Sequence, residues 1–286
     1  MNLYLSAILL GLSLSALAMG IFISMRIFSI PDITTDGSYT LGAAITAFAI
    51  THGQNLVNTF LLTFLFSAIA GATTGWIHTR LKVNSLLSGI LVMTGLYSIN
   101  LLIMGRSNVP LIDKITLMNL QLPLLNESLS QLALLTLITM LIAGFLIWLL
   151  KTDFGIAMRA TGNSESMVRA QGVDPDKMKI IGLAISNALV GISGFLVTQL
   201  QGFADINMGI GIVIIGLGSV MIGEAICKWT KKNTIAWRIL AVISGSIIFR
   251  CILAFSLSLG VNPTLLKLIT ALFVLIIVAI PHADKD

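Results

Sequence analysis

The chain has 286 residues, 56% of them hydrophobic and only 10% charged, with a mean hydropathy of +0.99. A soluble domain carries about 25% charged residues, so this composition excludes one and describes an all-α polytopic integral membrane protein. The net charge of +5 reads as loop orientation and not as a nucleic-acid footprint, and two cysteines with no CxxC or histidine cluster indicate neither a disulfide framework nor a metal site.

The N-terminal MNLYLSAILLGLSLSALAMGIFISMR lacks the basic n-region and cleavage site of a signal peptide and is read as a retained first span. At about 20 apolar residues per span, long segments are predicted over 3–24, 55–77, 83–104, 129–150, 178–200, 207–226, 237–258 and 264–281. A shorter run, 37–50, follows the polar break PDITTDGS and is too short for an ordinary crossing, so it either crosses with help or re-enters as a half-helix. Counting it gives about eight to nine transmembrane segments in a single domain spanning 1–286. The loop at 105–128, with Pro110, Asp113, Lys114, Pro123 and Glu127 among Leu, Ile and Met, is too apolar to be freely solvated.

Thirteen of the seventeen Lys and Arg residues, including Arg26, Arg80, Lys151, Arg159, Lys228, Arg238 and Lys285, fall on one set of loops. The opposite set holds only Arg106 and Lys114, with Arg250 and Lys267 inside spans. That asymmetry predicts an external N-terminus, a cytoplasmic C-terminus and a cytoplasmic island at 151–179.

DGSYTLG at 36–42 echoes DINMGIG at 205–211. Each opens a glycine-interrupted apolar segment after a polar break, and the two run in opposite directions, as in an inverted repeat whose breaks line a pathway. Asp36 is then either the N-cap of its own helix or a polar lining group, and Asp205 either a lining group or a solvated loop charge. Ser38, Asn100, Asn187 and Gln199 are further polar candidates in or near spans, although such amides more often join helices. Arg250 is costly near a span centre and is expected to pair with Glu224. The glycines at 209–218 and the Gly71–Gly75 pair read as close helix packing, since no Lys-Ser/Thr of a P-loop follows. Walker, HExxH and nucleophile-elbow motifs are absent from the sequence, which argues against enzymatic chemistry.

The island is expected to hold a short helix over 156–160 stopped by Gly162-Asn163, a second over 165–170 capped by Ser164 and ended by Gly172, and a new span opened by Asp174-Pro175. Capped short helices make either a rigid knob for a partner's socket or an amphipathic helix lying on the membrane.

GIAMRATGNSESMVRAQGVDPDKMK resembles the coupling segment of ABC-importer permeases of the branched-chain amino acid and ribose type. IPDITTDGSYTLGAAITA, GIGIVIIGLGSVMIGEAI and VNPTLLKLITALFVLIIVAI are similar to that family's interrupted helices and closing span. The resemblance is nearest to the permeases assigned to tryptophan, tyrosine or related substrates. It implies a permease subunit of the bacterial inner membrane, importing a small polar solute, an amino acid above all. It implies as partners a second copy of the chain, an external solute-binding protein and a separate cytoplasmic ATPase that binds ATP and Mg. It also implies coupling through about 151–177, with Gly155, Arg159, Ala160, Thr161, Gly162, Asn163, Arg169 and Gly172 at or near the docking positions. An ion-coupled secondary transporter is the alternative, disfavoured by the shortage of acidic residues in the spans.

Overall fold

The computed structural model describes residues 3–112, 114, 116–119, 126–260, 262 and 265–283, with side chains to residue 275. Asp113, Pro123 and Lys285 lie outside them. The helices are α1 (Leu3–Ile21), continued by a π-helical turn (Phe22–Ile27), α2 (Thr34–Thr51), α3 (Leu56–Arg80), α4 (Ser85–Met104), α5 (Glu127–Lys151), α6 (Asp153–Asn163), α7 (Glu165–Ala170), α8 (Pro175–Gln201), α9 (Ile212–Thr230), α10 (Ile235–Ser258) and α11 (Leu266–Ala283). Two short strands, β1 (Asn108–Pro110) and β2 (Phe203–Asp205), pair antiparallel, so residues 108–110 of the loop after α4 are folded onto the chain. Among the described residues seven helices are long and apolar enough to span a membrane, and α2 and the shorter apolar run Leu266–Leu275 of α11 add to them.

Helices α1 and α8 form the centre. Their apolar windows are 83% and 78% buried, against 22% for α4 and α5, which present most of their surface outward. Lipid supplies no hydrophobic drive between helices, so close approach and polar contacts hold them together. Ser186 donates to the Gly20 carbonyl at 2.7 Å, Ser193 to Ser13 at 2.8 Å and Ser246 to Gly11 at 2.7 Å. Gly71 and Gly75 abut the α8 backbone at Leu183 and Ile180, which bears out the packing read from their spacing.

These contacts fix the relative directions. α1 runs antiparallel to α8, because Ser13 meets Ser193 and Gly20 meets Ser186. The chain then turns back: Phe28 packs on Gly182, Asp32 bonds Asn187, and α2 continues parallel to α8 with Gly42 against Gly191. Residues 28–51 therefore run back along α8, first as non-helical chain and then as an 18-residue helix. α9 begins beside Asp36 and runs the opposite way, towards the end that holds α6 and α7. The predicted helix at 207–226 starts only at Ile212, because Asp205–Gly211 descends as strand end and turns, with Gly211 at φ +81.

Two oppositely directed units result, α1–α4 and α8–α11. Each has an inner helix, a non-helical descent into a helix that starts part-way through, and a hairpin. The inner helices pack reciprocally, α1 on α9 and α10, α8 on α2 and α3. The sequence echo marks both breaks but is out of register: Asp36 lies in the interior, whereas Asp205 sits in β2 at the far end.

Candidate translocation site and docking element

The two broken helices meet start to start. The Asp36 carboxylate accepts the backbone N–H of Gly211 at 2.9 Å and of Val213 at 3.1 Å. A carboxylate at a helix N-terminus satisfies orphan donors and the positive end of the dipole together. Asp36 is thus a cap, but of α9 and not of its own helix. The start of α2 is held by Asp32, whose Oδ1 accepts from Thr34 N at 2.9 Å. Asp32 was missed in the sequence reading; its signal is the Asp-x-Thr spacing that Asx turns use.

Asp32 is 3% exposed and its Oδ2 accepts from Asn187 Nδ2 at 2.7 Å, while Ser38 donates to Asn187 Oδ1 at 2.7 Å. Asn187 therefore binds α8 both to the break before α2, through Asp32, and to the second turn of α2, through Ser38. Thr34 and Thr74 share a 2.7 Å hydroxyl bond behind it. Asn100 donates to the Gly37 carbonyl at 3.2 Å, and its Oδ1 is buried without a partner.

A half-open cavity of about 330 Å³ lies over this joint, with Asp36, Thr40, Thr94, Tyr97, Ser98 and Asn100 supplying its polar lining. Thr94, Tyr97 and Ser98 are exposed on one face of α4, and among the described residues no helix covers them. Of the predicted pathway residues, the structure brings Asp36 and Asn100 into this cavity and puts Ser38 and Asn187 directly behind it. Gln199 lies away, accepting from Leu117 N at 2.9 Å and donating to Phe195 O at 3.2 Å. Asp205 is at the far end, bonded to Asn108 at 3.3 Å and to Asn207 N at 2.8 Å.

Arg250 does not pair with Glu224. Glu224 forms an ion pair with Arg26 of the π-helical turn, and Arg250 is half-buried, with its Nε buried and lacking an acceptor. Both α9 and the turn reach the same end of the molecule, whereas Arg250 lies sixteen residues along α10, too far along the helix to meet it.

At that end α6 and α7 form the folded island. Thr152 caps α6 through Gly155 N, Ser164 caps α7 through Met167 N, and Asp174 caps α8 through Asp176 N and Lys177 N. Gly162 and Asn163 do not stop α6; both are helical. A Cβ on Gly162 would overlap the Ile27 carbonyl, and one on Gly155 would overlap Leu149 and Leu150, so the glycines let α6 lie on the ends of α1 and α5. Met158 and Thr161 face inward at 0% and 1% exposure. Arg159, Asn163, Arg169 and Gly172 are exposed with Ile156 and Met167, and Ala160 is half-buried. The buried face of α6 is protein, which leaves its outer face available.

Residues 3–279 match the family described as branched-chain amino acid transport system / permease component. The chain belongs to that family. It is 40% identical to a tyrosine transport system permease protein of Clostridioides difficile, over 94% of this chain and 88% of the relative. An uncharacterized protein of Rickettsia prowazekii is 34% identical over 96% of both. An autoinducer 2 import system permease protein of Photorhabdus luminescens is 27% identical over 67% of this chain and 57% of its own. This permease is accordingly a multi-pass membrane transport subunit.

Proposed function

We propose that this permease is the membrane subunit of an ATP-driven importer for an amino acid, aromatic ones included, operating as a homodimer in the bacterial inner membrane. A cytoplasmic ATPase docks on α6–α7 and an external binding protein delivers the solute. The observation that carries the reading is the α6–α7 element, capped, seated by two glycines on the ends of α1 and α5, with Arg159, Arg169, Ile156 and Met167 turned outward. The excess of Lys and Arg at this end supports its cytoplasmic placement.

Movement of α6 passes through Gly162 to the end of α1, whose chain continues into Asp32 and the joint between α2 and α9. Thr94, Tyr97 and Ser98 are polar groups on an exposed face of a span, where acyl chains offer no hydrogen bonds. A second copy placed against α4 closes that face into a passage. The family and the name of the Clostridioides relative support an amino-acid solute.

The test is affinity isolation of the tagged permease from native membranes, with ATPase activity measured in the eluate. ATPase activity should co-purify with wild type and fall at least tenfold with Arg159→Glu. An ATPase-free homo-oligomer would favour an ion-coupled carrier, for which the interior carboxylate of Asp32 is the group to examine.

A further inference from the structure

A second cavity, about 560 Å³, opens at the basic end of the molecule between the π-helical turn, the outer face of α6 that carries Ile156 and Arg159, and the start of α10. Arg26, Arg159 and Arg238 line it, each from a different element. An adjoining cavity of about 220 Å³ shares Arg26 and Arg238 and adds Lys228 and Glu224. Four cations thus face one carboxylate, and that carboxylate is taken by Arg26. Arg238 has no carboxylate within ion-pair distance among the described residues. The rest of the wall mixes apolar Phe22, Leu150, Ile156 and Ile235 with polar Ser29, Asn163 and Asn233.

Guanidinium groups suit phosphate oxygens through their planar fork. Guanidiniums backed by apolar side chains, at the level where spans end, match the junction between a phosphate headgroup and its acyl chains. The outward faces of the helices leading here carry Phe145 and Trp148, exposed at 55% and 62%, as expected of a lipid-facing surface at the interface. We propose that this cavity binds the phosphate headgroup of an anionic phospholipid of the cytoplasmic leaflet. This rests on the orientation adopted above but not on the solute or on ATP. Basic pockets between helices on that side are suited to such lipids. The bound headgroup bridges Arg159 on α6 to Arg238 on α10, so the lipid ties the docking element to the second repeat.

The experiment uses the full-length permease in nanodiscs of phosphatidylcholine alone or with phosphatidylglycerol, following unfolding by tryptophan fluorescence. Wild type should melt on the order of 2–4 °C higher with phosphatidylglycerol, the scale of one added contact in a chain of this size. Arg238→Gln should remove most of that rise while melting normally in phosphatidylcholine, and Arg238→Lys should keep part of it. Arg26→Gln serves as the second variant should Arg238→Gln fail to fold, and should also reduce the rise. An equal rise in wild type and variants would mean unspecific surface attraction and overturn the site. The same rise from inorganic phosphate in phosphatidylcholine discs would assign the cavity to a soluble anion. No rise in wild type would also overturn the proposal, whatever the transport assay shows.

Discussion

Asp36 and Gly211 are 175 residues apart in sequence, yet the carboxylate of one accepts the backbone N–H of the other at 2.9 Å. This bond joins the starts of two helices that run in opposite directions from one interior point. Asn could accept there only with a neutral amide oxygen, and Ala not at all. Asp36→Asn, which can still accept, should cost little, and Asp36→Ala should lower stability by about 0.5–2 kcal/mol, the range for a lost N-terminal cap. Thermal unfolding in detergent measures it; an Asp36→Ala protein as stable as wild type would remove the joint's structural role.

Asn187 and Asn100 are both buried amides but differ in what they hold. Asn187 satisfies Asp32 and Ser38, whereas Asn100 makes a single bond to Gly37. Loss of Asn187 leaves Oδ2 of the interior Asp32 carboxylate without its partner, so Asn187→Ala should destabilise by roughly 1–3 kcal/mol more than Asn100→Ala. Comparing the two unfolding midpoints checks this, and equal losses would refute the network.

Gly162 and Gly144 form a matched pair. A methyl on Gly162 meets the Ile27 carbonyl, while one on Gly144 meets nothing within 4 Å. Gly162→Ala should displace α6 and sharply reduce co-purified ATPase activity. Gly144→Ala should be neutral or stabilising by up to about 1 kcal/mol through helix propensity.

The reassigned partner of Glu224 is open to a double-mutant cycle. Arg26 and Glu224 should couple by about 0.2–1 kcal/mol, as half-exposed ion pairs do, and Arg250 and Glu224 by nothing resolvable. Coupling confined to the Arg250 pair would reverse the assignment.

What was legible in the sequence was local. Ser164, Asp174-Pro175 and the small residues of Gly71–Gly75 announced caps and close packing, because their signals act within a few residues. The spans followed from apolar length. Asp32 and Asp36 were harder, since both sit near one helix start and only the fold shows that one caps α2 and the other α9. Residues 207–211 read as helix because they are apolar, yet Gly211 at positive φ starts α9 later. Gly162 read as a helix stop when its lack of a side chain served a contact with Ile27, 135 residues earlier. Adjacency of spans in sequence pairs Glu224 with Arg250 but carries no information on depth, and the fold gives Glu224 to Arg26.

The most direct test of ATP-driven import is uptake of labelled tyrosine and other amino acids by proteoliposomes holding the isolated complex. Enclosed ATP and an external binding protein should both be required, and Arg159→Glu should abolish uptake. Uptake driven by an imposed ion gradient without ATP would contradict the account.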